Sequence, residues 1–202
     1  MSSEPPVQQS SWKPMTLALA GVGILAAWTA LLPESVRPWN FAALGAVGLF
    51  AAARLRFAQA LILLALGLLV KDVCIFLQYG WKPEPLSWVA FAVYALIGHR
   101  FLKNTESPLR IGTAAVAASL LFFLISNFGS WMMQALPYGY SLAGLRDCYE
   151  AAIPFYRGTL AGDVLCSGAF FALHAVLSRA FFPAERMTTS EPVPVIDEEE
   201  GW

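Results

Sequence analysis

Residues 57 to 77 read Phe57-Ala-Gln-Ala-Leu-Ile-Leu-Leu-Ala-Leu-Gly-Leu-Leu-Val-Lys71-Asp72-Val-Cys-Ile-Phe-Leu77. A helix needs about 20 residues to cross the hydrocarbon core of a bilayer, and this run supplies that length. Two charges lie inside it. An ionisable side chain at membrane depth costs at least ~2.5 kcal/mol on insertion scales, so such groups turn toward a bundle interior or a wet cavity. The stretch therefore predicts a membrane helix with a polar inner face, and that requires neighbours.

Five further apolar runs supply them: Met15 to Leu32, Asn40 to Ala53, Leu86 to Leu102, Gly112 to Met133 and Thr159 to Phe182. Hydrophobic residues make up 57% of the chain and charged residues 13%, with a mean hydropathy of +0.58. A soluble domain of 202 residues leaves too much of its area in water to hide that composition. The expected fold is an all-α membrane protein, a bundle of about six transmembrane helices. Asn40 to Ala53 is short for a span, and its crossing needs help from neighbouring helices, local thinning or snorkelling of Arg54 and Arg56; a hairpin with the third run that does not fully cross is the alternative.

Orientation follows from Lys and Arg. With the N-terminus inside, the inner segments hold Lys13, Arg54, Arg56, Arg100, Lys103, Arg110, Arg179 and Arg186, and the outer loops only Arg37, Lys82, Arg146 and Arg157. Eight against four places both termini in the cytoplasm. The first run lacks a small-x-small cleavage site before Pro33 and reads as an uncleaved helix. Residues 1–14 and 183–202, rich in Ser, Pro and Gln or in acidic residues, read as disordered cytoplasmic tails around a membrane domain at 15–182.

The polar residues of the spans gather toward the outer end. Lys71 and Asp72 lie about two turns below the outer end of the third helix, and Ser126 and Asn127 sit at similar depth on the fifth. Asp163 is the fifth residue of the sixth run, and Asn40 opens the second. Adjacent helical residues point about 100° apart, so Lys71 and Asp72 are not expected to face the same partner. In the longest loop, Leu142, Leu145, Tyr149 and Ile153 repeat at intervals of three and four while Arg146, Asp147 and Glu150 take the other face. Ser141 as cap and Pro154 as stop define a short amphipathic helix at the outer surface, between the fifth and sixth spans. The candidate substrate-binding set is Asn40, Lys71, Asp72, Asn127, Trp131, Arg146, Glu150, Arg157 and Asp163. A structural role for the same charges, as pairs between helices, is the competing reading, and Trp131 also fits an interfacial aromatic belt.

No phosphate-binding loop, His-Glu-x-x-His or nucleophile elbow is present, so no catalytic residue, metal or cofactor is expected. An ATP-driven step would need another chain. With a net charge of −1 there is no nucleic-acid face. Cys74, Cys148 and Cys166 form no metal spacing, and Cys148 is open to oxidation if exposed.

The motifs Arg37-Pro-Trp-Asn-Phe, Ser126-Asn-Phe-Gly-Ser-Trp131 and Cys148-Tyr-Glu-Ala-Ala-Ile-Pro-Phe-Tyr-Arg-Gly-Thr-Leu-Ala-Gly-Asp163 resemble an uncharacterised family of small bacterial polytopic membrane proteins, a domain of unknown function. The resemblance implies a bacterial inner-membrane location and no particular activity. By size and helix plan alone the chain is also similar to S components of energy-coupling-factor vitamin transporters. That likeness implies an outward-facing pocket for a small polar or vitamin-like solute, and an ATP-driven partner module or other membrane subunit docked through small residues such as Ala42 and Ala46. An accessory or structural membrane subunit, or an intramembrane enzyme, is the alternative function.

Overall fold

The computed structural model describes residues 13–27, 41, 43–80, 83–133 and 137–186. Among these it forms six α-helices, one 3-10 turn and no strand. In chain order they are α1 Pro14–Ala27, α2 Leu44–Arg54, α3 Phe57–Tyr79, α4 Pro85–Phe101, α5 Pro108–Met132, α6 Leu142–Ala180 and the turn Pro183–Glu185. Prolines open α1, α4 and α5. There the missing N–H is one the helix start leaves unpaired anyway. Gly80, with φ 69°, closes α3 in the left-handed conformation that glycine adopts without strain.

Over Phe57–Leu77, α3 is long and apolar enough to cross a membrane, and so are α5 and α6. The 17 residues of α4 span about 26 Å, close to the hydrocarbon thickness. The outer faces of these helices suit lipid: Ile62, Leu66, Leu69, Val73 and Phe76 on α3, Leu120, Leu124 and Phe128 on α5, and Leu165 and Val176 on α6 are all exposed. So much apolar surface is what a bilayer covers and water does not. The inner face of α6 is the converse, mostly small or polar, with Gly158, Gly162, Asp163, Ser167, His174 and Ser178 buried alongside one large apolar residue, Phe171.

At the centre stands α2. Every residue from Leu44 to Arg54 is buried, and the helix touches each of the other five. Its glycines and alanines permit this. A Cβ added at Gly98 of α4 would run into the Leu49 backbone, so α2 and α4 meet main chain to main chain. Eleven residues span only about 16 Å, shorter than the expected run, and Asn40 lies outside the described residues. Ala46 is completely buried, so α2 does not offer it to another subunit.

Arg54 does not snorkel. It is 3% exposed, its guanidinium donates to the carbonyls of Leu102 (2.9 Å) and Thr105 (2.8 Å), and it lies 4.6 Å over the Phe171 ring. A polar base closes this end of the bundle. Lys13 Nζ donates to the Arg54 carbonyl at 2.8 Å, Glu185 accepts from the Met15 and Thr16 amides (2.9 and 3.0 Å) and the Thr16 hydroxyl (2.6 Å), and Arg179 pairs with Glu106. The start of α1 and the turn after α6 therefore sit side by side. Lys13 and residues 183–186, assigned to the tails by the sequence, are thus part of the packed bundle, and the remainder of both expected tails lies outside the described residues.

The separate amphipathic helix is absent. Ser141 does cap a helix, its Oγ accepting the Gly144 amide at 3.0 Å, but that helix runs on through Pro154 to Ala180 as one 39-residue element. Proline removes one hydrogen bond without ending the helix here, because the segment before it is held against α5. Tyr149 and Tyr156 enclose Phe123 (ring centroids 5.6 and 4.7 Å), and the Tyr149 hydroxyl donates to the Leu124 carbonyl at 2.6 Å. Gly144 and Cys148 form the packed face, whereas Leu142 and Ile153, expected to pack, are exposed.

Candidate functional site

Along α3, Ala60, Leu64, Leu68 and Asp72 recur every fourth residue on the buried side. This stripe carries one carboxylate into the far end of the bundle from the polar base. Asp72 Oδ1 pairs with Lys71 Nζ at 2.8 Å, the long lysine side chain folding back over its neighbour despite the 100° between them, and Oδ2 accepts the Trp88 indole N–H at 2.7 Å. Trp88 lies in the first turn of α4, so the α3–α4 connection delivers it.

Glu84 joins this end, a residue the sequence reading did not single out. Its Oε2 accepts the Ser87 hydroxyl at 2.6 Å, while Oε1 is buried without a hydrogen bond against Gly129 of α5. Burial pushes the Glu84 carboxyl above its usual range and Asp72 adds to this, against the opposing pull of the Ser87 hydrogen bond and of Lys71. The Glu84–Ser87 spacing, an acidic residue before Pro85, was the available signal for a helix start.

A groove of about 480 Å³ opens beside these groups, lined by Leu69, Asp72, Val73, Phe76, Pro83, Pro85 and Trp88. Its wall is apolar apart from the Asp72 carboxylate. Such a cleft holds an apolar body and fixes one polar end. A smaller cleft of about 170 Å³ between α5 and α6 is lined by Phe123, Ser126, Asn127, Phe155, Tyr156 and Thr159, among others.

The other expected residues do not meet at the groove. Asn127 turns back to the Phe123 carbonyl (2.7 Å) and lines the smaller cleft, and its own carbonyl faces the buried Cys148 Sγ at 3.5 Å. Trp131 donates to the Gly139 carbonyl at 3.0 Å and packs at a tilt against Phe128 and edge-on against Tyr140. Arg146 pairs with Glu150 at 3.0 Å on the exposed side of α6, and Arg157 is exposed. Asn40 falls outside the described residues.

Asp163 stands apart from all of them. Because α6 begins at Leu142 and not at Thr159, Asp163 lies well inside the bundle, facing Tyr94 and Ser119, which are midway along α4 and α5. The Tyr94 hydroxyl donates to Asp163 Oδ2. Asp163 is 1% exposed, and a side chain at Gly45 of α2 would strike both it and the Tyr94 ring. Lower on α6, His174 is packed against Phe50 with neither ring nitrogen hydrogen-bonded. Among the described residues no group of three or more His, Cys, Asp or Glu converges as a metal site.

The chain belongs to a family of unknown function, DUF6580, whose sequence profile matches residues 10–187. No curated protein and no solved structure matches it.

Proposed function

We propose that this member of the DUF6580 family is a bacterial inner-membrane protein that crosses the bilayer six times. Both termini are cytoplasmic, and the groove between α3 and α4, near the outer end of the bundle and open to the lipid side along Leu69, Val73 and Phe76, holds a small amphipathic molecule. The carrying observation is the groove itself, an apolar cleft of about 480 Å³ with one carboxylate on its wall. Asp72 keeps free lone pairs after its contacts with Lys71 and Trp88, so it accepts a donor from the ligand. The lining adjusts the expected chemistry: it favours an apolar body with one polar end over a wholly polar solute. The even number of crossings draws support from α1 and the C-terminal turn meeting at one end, and the orientation from the cationic excess there.

Native mass spectrometry of the purified full chain in mild detergent tests the reading. A small molecule retained by the wild type and lost from Asp72→Asn and Trp88→Phe, with melting temperatures little changed, supports it. Wild-type protein that carries nothing but detergent and lipid, or variants that melt earlier without losing the molecule, would show the groove to be scaffolding.

A further inference from the structure

Asp163 is a completely buried carboxylate with no cation beside it. Among the described residues Asp72 has Lys71, Glu106 has Arg179 and Glu150 has Arg146, whereas Asp163 faces only neutral hydroxyls, those of Tyr94 and Ser119. The titratable groups around it are Tyr94 from α4 and Tyr156 and Cys166 of α6; α2 and α5 bring Gly45 and Ser119, and none of these is a base. An ionised carboxylate in a low-dielectric interior carries a solvation penalty that neutral hydroxyls alone do not offset, so its charge is neutralised by something bound.

Two further hydroxyl oxygens lie close by. Ser167 Oγ, one turn from Asp163 on the buried face of α6, is fully buried and makes no hydrogen bond, and the fully buried Ser119 Oγ stands beside the Tyr94–Asp163 pair within reach of both. Buried hydroxyls are normally satisfied, and an orphan hydroxyl one turn from a carboxylate that has no cation marks a place where a further group is expected. All the donors are hard oxygens: a carboxylate, a phenol and two hydroxyls from three helices. Gly45 lets α2 approach closely enough to seal the fourth side.

We propose that Asp163, Tyr94, Ser119 and Ser167 form an intramembrane site for one small monovalent cation, a proton on the carboxyl group or a sodium ion among the oxygens. The site is separate from the groove, whose lining does not include Asp163.

Infrared difference spectra of the full chain in nanodiscs, wild type minus Asp163→Asn, test this at neutral pH with sodium or choline as the only monovalent salt cation. A protonated-carboxyl band in both salts identifies the proton. A carboxylate signal in sodium that becomes a protonated-carboxyl band in choline, with a melting temperature that rises with sodium in the wild type and not in Asp163→Asn, identifies sodium; Ser119→Ala and Ser167→Ala then weaken the sodium response several-fold. An ionised Asp163 in both salts, with a melting temperature indifferent to sodium, would overturn the proposal. If Asp163→Asn does not fold, Ser167→Ala serves as the reference for the sodium response, and the band is assigned by isotope labelling of aspartate.

Discussion

Arg54 ends a helix that holds no other charged residue, yet it is buried and donates to carbonyls left unpaired where α4 ends and the following loop begins. Hydrogen bonds from a charged donor contribute about 1.5–3 kcal/mol each, so Arg54→Met is expected to destabilise the protein by about 3 kcal/mol, and Arg54→Lys, with a single ammonium, by less. Thermal unfolding in detergent checks both. Glu84 gives a prediction of the opposite sign. Its folded pKa lies above its ordinary value of about 4.5, so the folded state binds more protons than the unfolded one between the two values, and ionisation lowers stability as pH rises through that interval. Glu84→Gln should therefore be more stable relative to wild type at pH 7 than at pH 4.5; a difference that is flat with pH would contradict this. At this scale the sequence was a partial guide. Charges inside apolar runs flagged Asp72 and Asp163, but Tyr94, Ser119 and Ser167 are ordinary members of membrane helices, and only packing shows which of them face inward.

Helices α3 and α5 were legible because a long apolar run has one economical solution in a bilayer, and their ends differ from expectation by a few residues. Pro85 and Pro108 would have fixed two starts better than hydropathy did. The central position of α2 was hidden because a Gly- and Ala-rich segment has no polar face to mark which side is buried. Its close approach to α4 yields a prediction: Gly98→Ala forces a methyl group into the Leu49 backbone and should cost about 1–3 kcal/mol. Gly112→Ala, where a Cβ meets open space, should cost nothing measurable; equal melting of the two variants would show that the main-chain contact carries no weight. In α6 the misreading came from Pro154. Proline is a stop signal in isolation, but contacts with α5 on both sides of it carry the helix through, and this moved Asp163 from the expected outer layer to the middle of the bundle.

For the whole molecule, the defining pattern is an apolar exterior around an interior whose α6 face is mostly small or polar, with a base of Lys13, Arg54, Glu106, Arg179 and Glu185 closing one end and a groove opening at the other. The family match carries no activity with it, so function rests on this geometry. The placement of the groove at the outer side depends on which end faces the cytoplasm. In a background with Cys74, Cys148 and Cys166 replaced, a membrane-impermeant thiol reagent applied to intact cells measures that directly, using single cysteines at Lys82, between α3 and α4, and at Lys103, beside the polar base. Labelling of Lys82→Cys in intact cells, and of Lys103→Cys only after permeabilisation, is the predicted result; the reverse pattern, or equal labelling of both, would contradict it.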